Sequence, residues 1–253
     1  MKQKRNSSLV IFLLLLTGAC FDESLQLAKQ GSVSEVREYI GNGHAIDNPD
    51  EKGRTILHNA AYYGRPGIIN FLIVEGADTR KKDNEGITAL HLVADCFQVN
   101  KSRQNEKDCN ETAMILLSSY DDVNIKTNQG WLPLHVAAMT GNAFLVDSLL
   151  KKKSKINEFT EKGHTALHLA AANGHLETCK ILITAGAEKN LVDRAKNSVL
   201  HMAAYYGEIE VAKFLVKIGV NTTLQNIDSK TFIELAKDRG KDRFVDALRD
   251  SLY

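Results

Sequence analysis

Three prolines and a single tryptophan in 253 residues leave little material for polyproline segments, and aromatic residues amount to only 7% of the chain. Scarce aromatics beside ample aliphatics favour helices over a β-sandwich. Net charge is almost absent too, with 32 basic residues against 31 acidic. No overall field therefore recruits nucleic acid or an anionic surface. Long apolar runs are missing as well. The one conspicuous stretch, LVIFLLLL at positions 9–16, would rise only about 12 Å as a helix, against roughly 30 Å of bilayer core. It is poorly suited to a permanent span. Sequence signatures of catalysis are equally lacking: there is no G-x-S-x-G, no H-E-x-x-H and no phosphate-cradling glycine loop.

The short apolar run has a different meaning in its setting. Lys2, Lys4 and Arg5 precede it, and Thr17, Gly18, Ala19 and Cys20 follow. Basic, apolar and small-residue sections in that order predict an export signal over residues 1–19. The segment LTGAC resembles the lipobox of bacterial lipoproteins, which implies acylation of Cys20 and an attachment to the membrane through it. Thr17 stands where that family most often has leucine, and simple cleavage after Ala19 is the alternative. Both place the protein in the periplasm or cell envelope. Loss of residues 1–19 removes three positive charges, leaving 29 basic against 31 acidic residues.

What the chain has in abundance is itself. AAYYG occurs at 60–64 and again at 203–207. The segments TILHNAAYYG, TALHLVADCF, LPLHVAAMTG, TALHLAAANG and SVLHMAAYYG begin at Thr55, Thr88, Leu132, Thr165 and Ser198. Their spacing is 33 residues, with one step of 44. The AAYYG offset of 143 is thus four units of 33 plus an insertion of 11. Degenerate copies extend the series back to Asp22 and forward to Thr231, with Leu25 and Glu234 replacing the histidine. Atypical end units are what a stack needs to shield its termini.

A period of 33 carrying T-x-L-H-x-A-A resembles the ankyrin repeat. The resemblance covers nearly all of residues 22–253. It implies an all-α solenoid of about seven helix-turn-helix units with projecting β-turn fingers, in a single domain over 20–253. The units begin near 22, 55, 88, 132, 165, 198 and 231, with an inserted loop at about 97–110. Physical chemistry agrees with this reading. The hydroxyls of Thr55, Thr88, Thr165, Ser198 and Thr231 can cap helix N-termini. Gly31, Gly64, Gly141, Gly174, Gly207 and Gly240 are placed to end helices in a left-handed conformation. Tyr120 and Lys153 occupy positions where a second glycine recurs, which predicts altered turns there.

Five of the eight histidines, His58, His91, His135, His168 and His201, share one repeat position. Packed helices lie about 10 Å apart, so the five cannot ligate one ion. The resemblance implies that each bonds the capping threonine and nearby backbone instead. His164 and His175 show no metal-ligand spacing, and neither a metal nor a cofactor is expected. KKKSK at 151–155 reads as a solvated helix end. Cys179 aligns with core positions of other units. Cys96 and Cys109 flank the insertion, where a disulfide would clip the loop at its neck in an oxidising compartment. Two separate thiols are the alternative.

In an ankyrin stack the residue before the cap and the pair before the glycine face the concave surface. Here these are Arg54, Ile87, Trp131, His164, Asn197 and Lys230, then Tyr62-Tyr63, Asp95-Cys96, Met139-Thr140, Ala172-Asn173 and Tyr205-Tyr206. Four tyrosines, the only tryptophan and Met139 in these positions resemble protein-interface anchors. The expected activity is non-enzymatic. Arg54, Tyr62, Tyr63, Ile87, Trp131, Met139, His164, Tyr205 and Tyr206 would contact a partner protein, with no nucleic acid involved. Inhibition of a secreted toxin or enzyme fits such a protein, as an immunity factor would act. An envelope chaperone, or a metal- or haem-handling helper, is the alternative.

Overall fold

A computed structural model describes residues 23–99 and 102–252. The expected export signal and the acylation site at Cys20 lie outside the described residues. Within them the chain forms seven helical pairs. They are α1 (Glu23–Gln30) with α2 (Val33–Gly41), and α3 (Ile56–Tyr62) with α4 (Pro66–Val74). In the third, α5 (Ala89–Leu92) and a short α6 (Cys96–Val99) precede α7 (Arg103–Ser118). Then come α8 (Pro133–Thr140) with α9 (Ala143–Lys151), and α10 (Ala166–Ala172) with α11 (Leu176–Thr184). Last are α12 (Val199–Tyr206) with α13 (Ile209–Lys217), and α14 (Phe232–Asp238) with α15 (Asp242–Leu252). First helices touch first helices of adjacent units along the chain, and second helices do likewise.

The packing follows from residue size. Ala60, Ala61, Ala137, Ala138, Ala170, Ala171, Ala203 and Ala204 are all fully buried, because a methyl group is all that fits between adjacent first helices. Leu57, Leu90, Leu134, Leu167 and Leu200, one step before each histidine, are at most 1% exposed. Burial of each such side chain contributes about 1.5–3 kcal/mol. At the C-terminal end Phe244 and Leu248 of α15 turn inward, with the Phe244 ring edge-on to Phe232 at 6.4 Å.

Each histidine joins two units. The Thr55 N–H donates to His58 Nδ1 at 3.1 Å, which leaves the ring proton on Nε2 to donate to the Ile87 carbonyl at 3.1 Å. His91, His168 and His201 repeat this with the carbonyls of Trp131, Asn197 and Lys230. His135 reaches Glu158 instead, six residues earlier on its finger than the equivalent position. Burial holds these imidazoles below their ordinary range, to about 4 at His91, His135 and His168. In the last unit Glu234 takes the histidine's place, its Oε2 accepting from both the N–H and the hydroxyl of Thr231 at 2.8 Å.

Between units the chain projects fingers. Each closes with a backbone bond from residue i to i+4, as from Asp83 to Ile87 and from Thr127 to Trp131. Neighbouring fingers bond side by side, Asn84 to Lys52, Asn128 to Glu85, Glu161 to Gln129, Arg194 to Lys162 and Ile227 to Ala195. These bonds make a continuous strip.

Four details differ from the sequence-based expectation. The insertion is not a loop: most of it is helical, and α7 runs 16 residues where the other second helices run nine to 11. Cys109 consequently sits within α7 rather than ahead of it, disulfide-bonded to Cys96 with 5.8 Å between Cα atoms. Gly31 does not adopt the left-handed conformation, since Ser32 caps the next helix at once. Lys153 does adopt it (φ 60°), so its turn keeps the shape of the glycine turns. Tyr120 departs as expected: it is buried, and its hydroxyl donates to the Thr79 carbonyl.

Candidate functional site

Finger residues and first-helix residues together line hollows on the face they share, and among the described residues two of these stand out. The first, of about 350 Å³, lies between the third and fourth units. Its finger walls are Glu85, Ile87, Thr127, Gln129 and Trp131, and its helical walls include Leu92, Asp95, Val136 and Met139. Trp131 is half-buried, its indole edge-on to His135 at 6.2 Å between ring centres. Backbone bonds fix the walls. The Met139 carbonyl accepts from His175 Nε2 at 2.9 Å, and the Trp131 N–H donates to Thr127 Oγ1 at 3.1 Å.

The second hollow, of about 280 Å³, lies among the last three units. His164, Asp193, Met202, Tyr205, Tyr206 and Arg239 are among its walls. Tyr205 and Tyr206 are 37% and 53% exposed and stand edge-to-face at 4.9 Å. The Arg239 guanidinium lies over the Tyr205 ring at 4.2 Å. His164 Nε2 is 3.4 Å from Asp193 Oδ2. Burial opposes ionisation of Asp193, but bonds from His164, Asn197 and Ala195 outweigh it and hold the carboxyl below its ordinary range.

Of the residues picked from sequence, the fold therefore gathers Ile87, Trp131 and Met139 into one hollow, and His164, Tyr205 and Tyr206 into the other. Arg54, Tyr62 and Tyr63 line neither. Arg54 is engaged by Asp83 on the next finger, Nε to Oδ2 at 3.2 Å. Tyr62 and Tyr63 are half-buried, unlike their twins at 205 and 206. The short helix α6, which no other unit has among the described residues, packs against α3 there, and Lys29 Nζ lies 5.8 Å from the Tyr63 ring. Asp95, expected on the concave face, is not among the predicted contacts, and Arg239 is in neither set. Asp95 precedes a cysteine and looks like an ordinary solvated charge, while Arg239 belongs to a degenerate end unit.

No group of three or more His, Cys, Asp or Glu side chains among the described residues is arranged to hold a metal ion. Cys179 is buried, and burial pushes its thiol up to about 12. No helix among the described residues is long and apolar enough to cross a membrane.

The repeated cap, histidine and alanine pair define a class, and comparison with known proteins agrees. The family profile for ankyrin repeats matches in three copies, at residues 25–102, 101–193 and 160–226. The chain belongs to the ankyrin-repeat family. It is 28% identical over 129 residues to mouse NF-kappa-B inhibitor delta, covering 46% of this chain and 39% of that protein. An ankyrin repeat protein of Rickettsia felis is 32% identical over 127 residues, covering 50% of this chain and 39% of its own length. The chain thus spans less than half the length of these curated relatives. Among solved structures, the ankyrin repeat domain of Bcl-3, a member of the IkappaB protein family, superposes with a TM-score of 0.67 at 26% identity. That match covers 89% of this chain and 97% of the other.

Proposed function

We propose that the chain is a non-enzymatic protein-binding module that grips a partner protein on the inner face between fingers and first helices. One observation carries this reading: the side chains free of structural duty there are large and amphipathic. Trp131, Met139, Tyr205 and Tyr206 sit at two preformed hollows on a scaffold whose caps, histidines and alanines are otherwise committed. Rigid aromatics lose little entropy on binding and dominate the energetics of protein interfaces. One named relative is an NF-kappa-B inhibitor, and membership of the ankyrin-repeat family supports a protein partner for this chain.

The setting is the cell envelope. The basic, apolar and small-residue sections ending at Cys20 support export, with acylation of Cys20 as the anchor. Within that compartment the module acts as an inhibitor or immunity protein for a secreted toxin or enzyme. Affinity capture from envelope extracts tests the binding reading. Wild type should retain a partner that the Trp131→Ala/Tyr206→Ala double variant releases, with circular dichroism unchanged. Retention by the folded double variant contradicts it. Mass spectrometry of the mature N-terminus tests the anchor, which requires an acylated Cys20 as first residue.

A further inference from the structure

The first hollow has a lopsided charge. Its walls include Glu85 and Asp95 but no lysine or arginine. Asp95 is half-buried at the last turn before α6, and among the described residues its carboxylate has no hydrogen bond or ion pair. Arg54, whose charge acts on Asp95, is already held by Asp83 at 3.2 Å. His91 supplies no charge, because its Nδ1 accepts the Thr88 N–H and its Nε2 proton goes to the Trp131 carbonyl. Burial pushes the Asp95 carboxyl above its ordinary range, and the Arg54 charge only partly offsets this. A half-buried carboxylate without a partner bears part of that desolvation cost, and an arriving cation would relieve it.

The other walls suit the rest of a long basic side chain. Leu92, Val136 and Met139 offer apolar contact for methylenes, and Trp131 offers an indole, the aromatic ring that attracts cations most strongly. We infer that the hollow between the third and fourth units receives a lysine or arginine side chain of the bound protein, its head on Asp95 and its stem along Leu92, Val136 and Met139. This rests on the reading of the inner face as the binding surface, and it specifies the chemistry of the central anchor.

Trp131 is the only tryptophan of the chain, so emission excited at the red edge of indole absorption, where tyrosine does not absorb, reports on this hollow. The full chain is titrated with N-acetyl-lysine methylamide, the arginine equivalent and the norleucine equivalent, at matched ionic strength. Wild type should give a saturable emission change with either cation and none with norleucine, and Asp95→Asn should weaken the response by about tenfold. Glu161→Gln, on an exposed finger position outside the hollow, should respond as wild type. Equal responses to lysine and norleucine, no response to either cation, or equal responses of wild type and folded Asp95→Asn each overturn the inference. If Asp95→Asn unfolds, the contrast between lysine and norleucine on wild type decides by itself. These titrations need no partner, so their failure is distinct from failure of the capture experiment.

Discussion

His91 Nε2 lies 3.1 Å from the carbonyl oxygen of Trp131, forty residues further along the chain. The bond makes a buried imidazole part of the wall of the first hollow and ties the third unit to the fourth. It also requires the ring to be neutral, because Nδ1 is occupied as an acceptor.

Stability should therefore depend on pH. All five repeat histidines have lowered folded-state values, and three are held at about 4 against an ordinary 6.5. Unfolded histidines bind protons between pH 6.5 and 4 while the folded ones do not, so stability falls as pH drops through that window. Each of the three contributes about 3 kcal/mol by linkage. Urea midpoints should be level above about pH 7 and decline steeply toward pH 4.5, with about three or more protons taken up on unfolding. A midpoint independent of pH across this range would show that the rings are not neutral and buried.

The disulfide should contribute about 3 kcal/mol, since it closes a loop of 13 residues in the unfolded chain. Urea unfolding with and without dithiothreitol measures that. Gly64 backs onto the same bridge: an added Cβ would come within 2.5 Å of Cys96 Sγ and 3.0 Å of Cys109 Sγ. Gly240 has nearly the same backbone angle, +65° against +62°, but nothing within 4 Å. Both alanine variants incur roughly 1–2 kcal/mol of left-handed strain. Gly64→Ala should lose more than Gly240→Ala, and equal losses would mean that the bridge does not press on Gly64.

Finger tips offer a gain. Lys196 and Ser229 take φ 57° at the position held by Gly53, Gly86, Gly130 and Gly163 on the other fingers. Glycine relieves that strain, though it loses more backbone freedom on folding. Lys196→Gly and Ser229→Gly should each stabilise by about 0.5–1 kcal/mol, read as a rise in thermal midpoint. A fall at both sites would indicate side-chain contacts that outweigh the backbone.

The repeat was legible because its signals are local. A cap, a histidine three residues on and an alanine pair each report on one helix start, and their spacing alone aligns the units. The insertion was not legible by the same route. RQNEKDCNETAMILLS is rich in helix formers, but a period of 33 learnt from the neighbours draws the helix boundary too late and leaves the remainder as loop. Lys153 shows the converse, a turn imposed by the stack on a residue that would not choose it. At the candidate site, aromatic anchors could be picked by position. The isolation of Asp95 could not, because a missing partner is a property of three-dimensional surroundings.

The claim that the inner face grips a protein is tested most directly by a crosslinking map. Benzoylphenylalanine is placed singly at Met139 and Tyr206 on the inner face, and at Met114 and Phe144 on the second helices, all in cells under ultraviolet light. Bands joining the chain to one and the same protein from Met139 and Tyr206, with none from Met114 or Phe144, are the predicted result. Crosslinks confined to Met114 and Phe144 would contradict it.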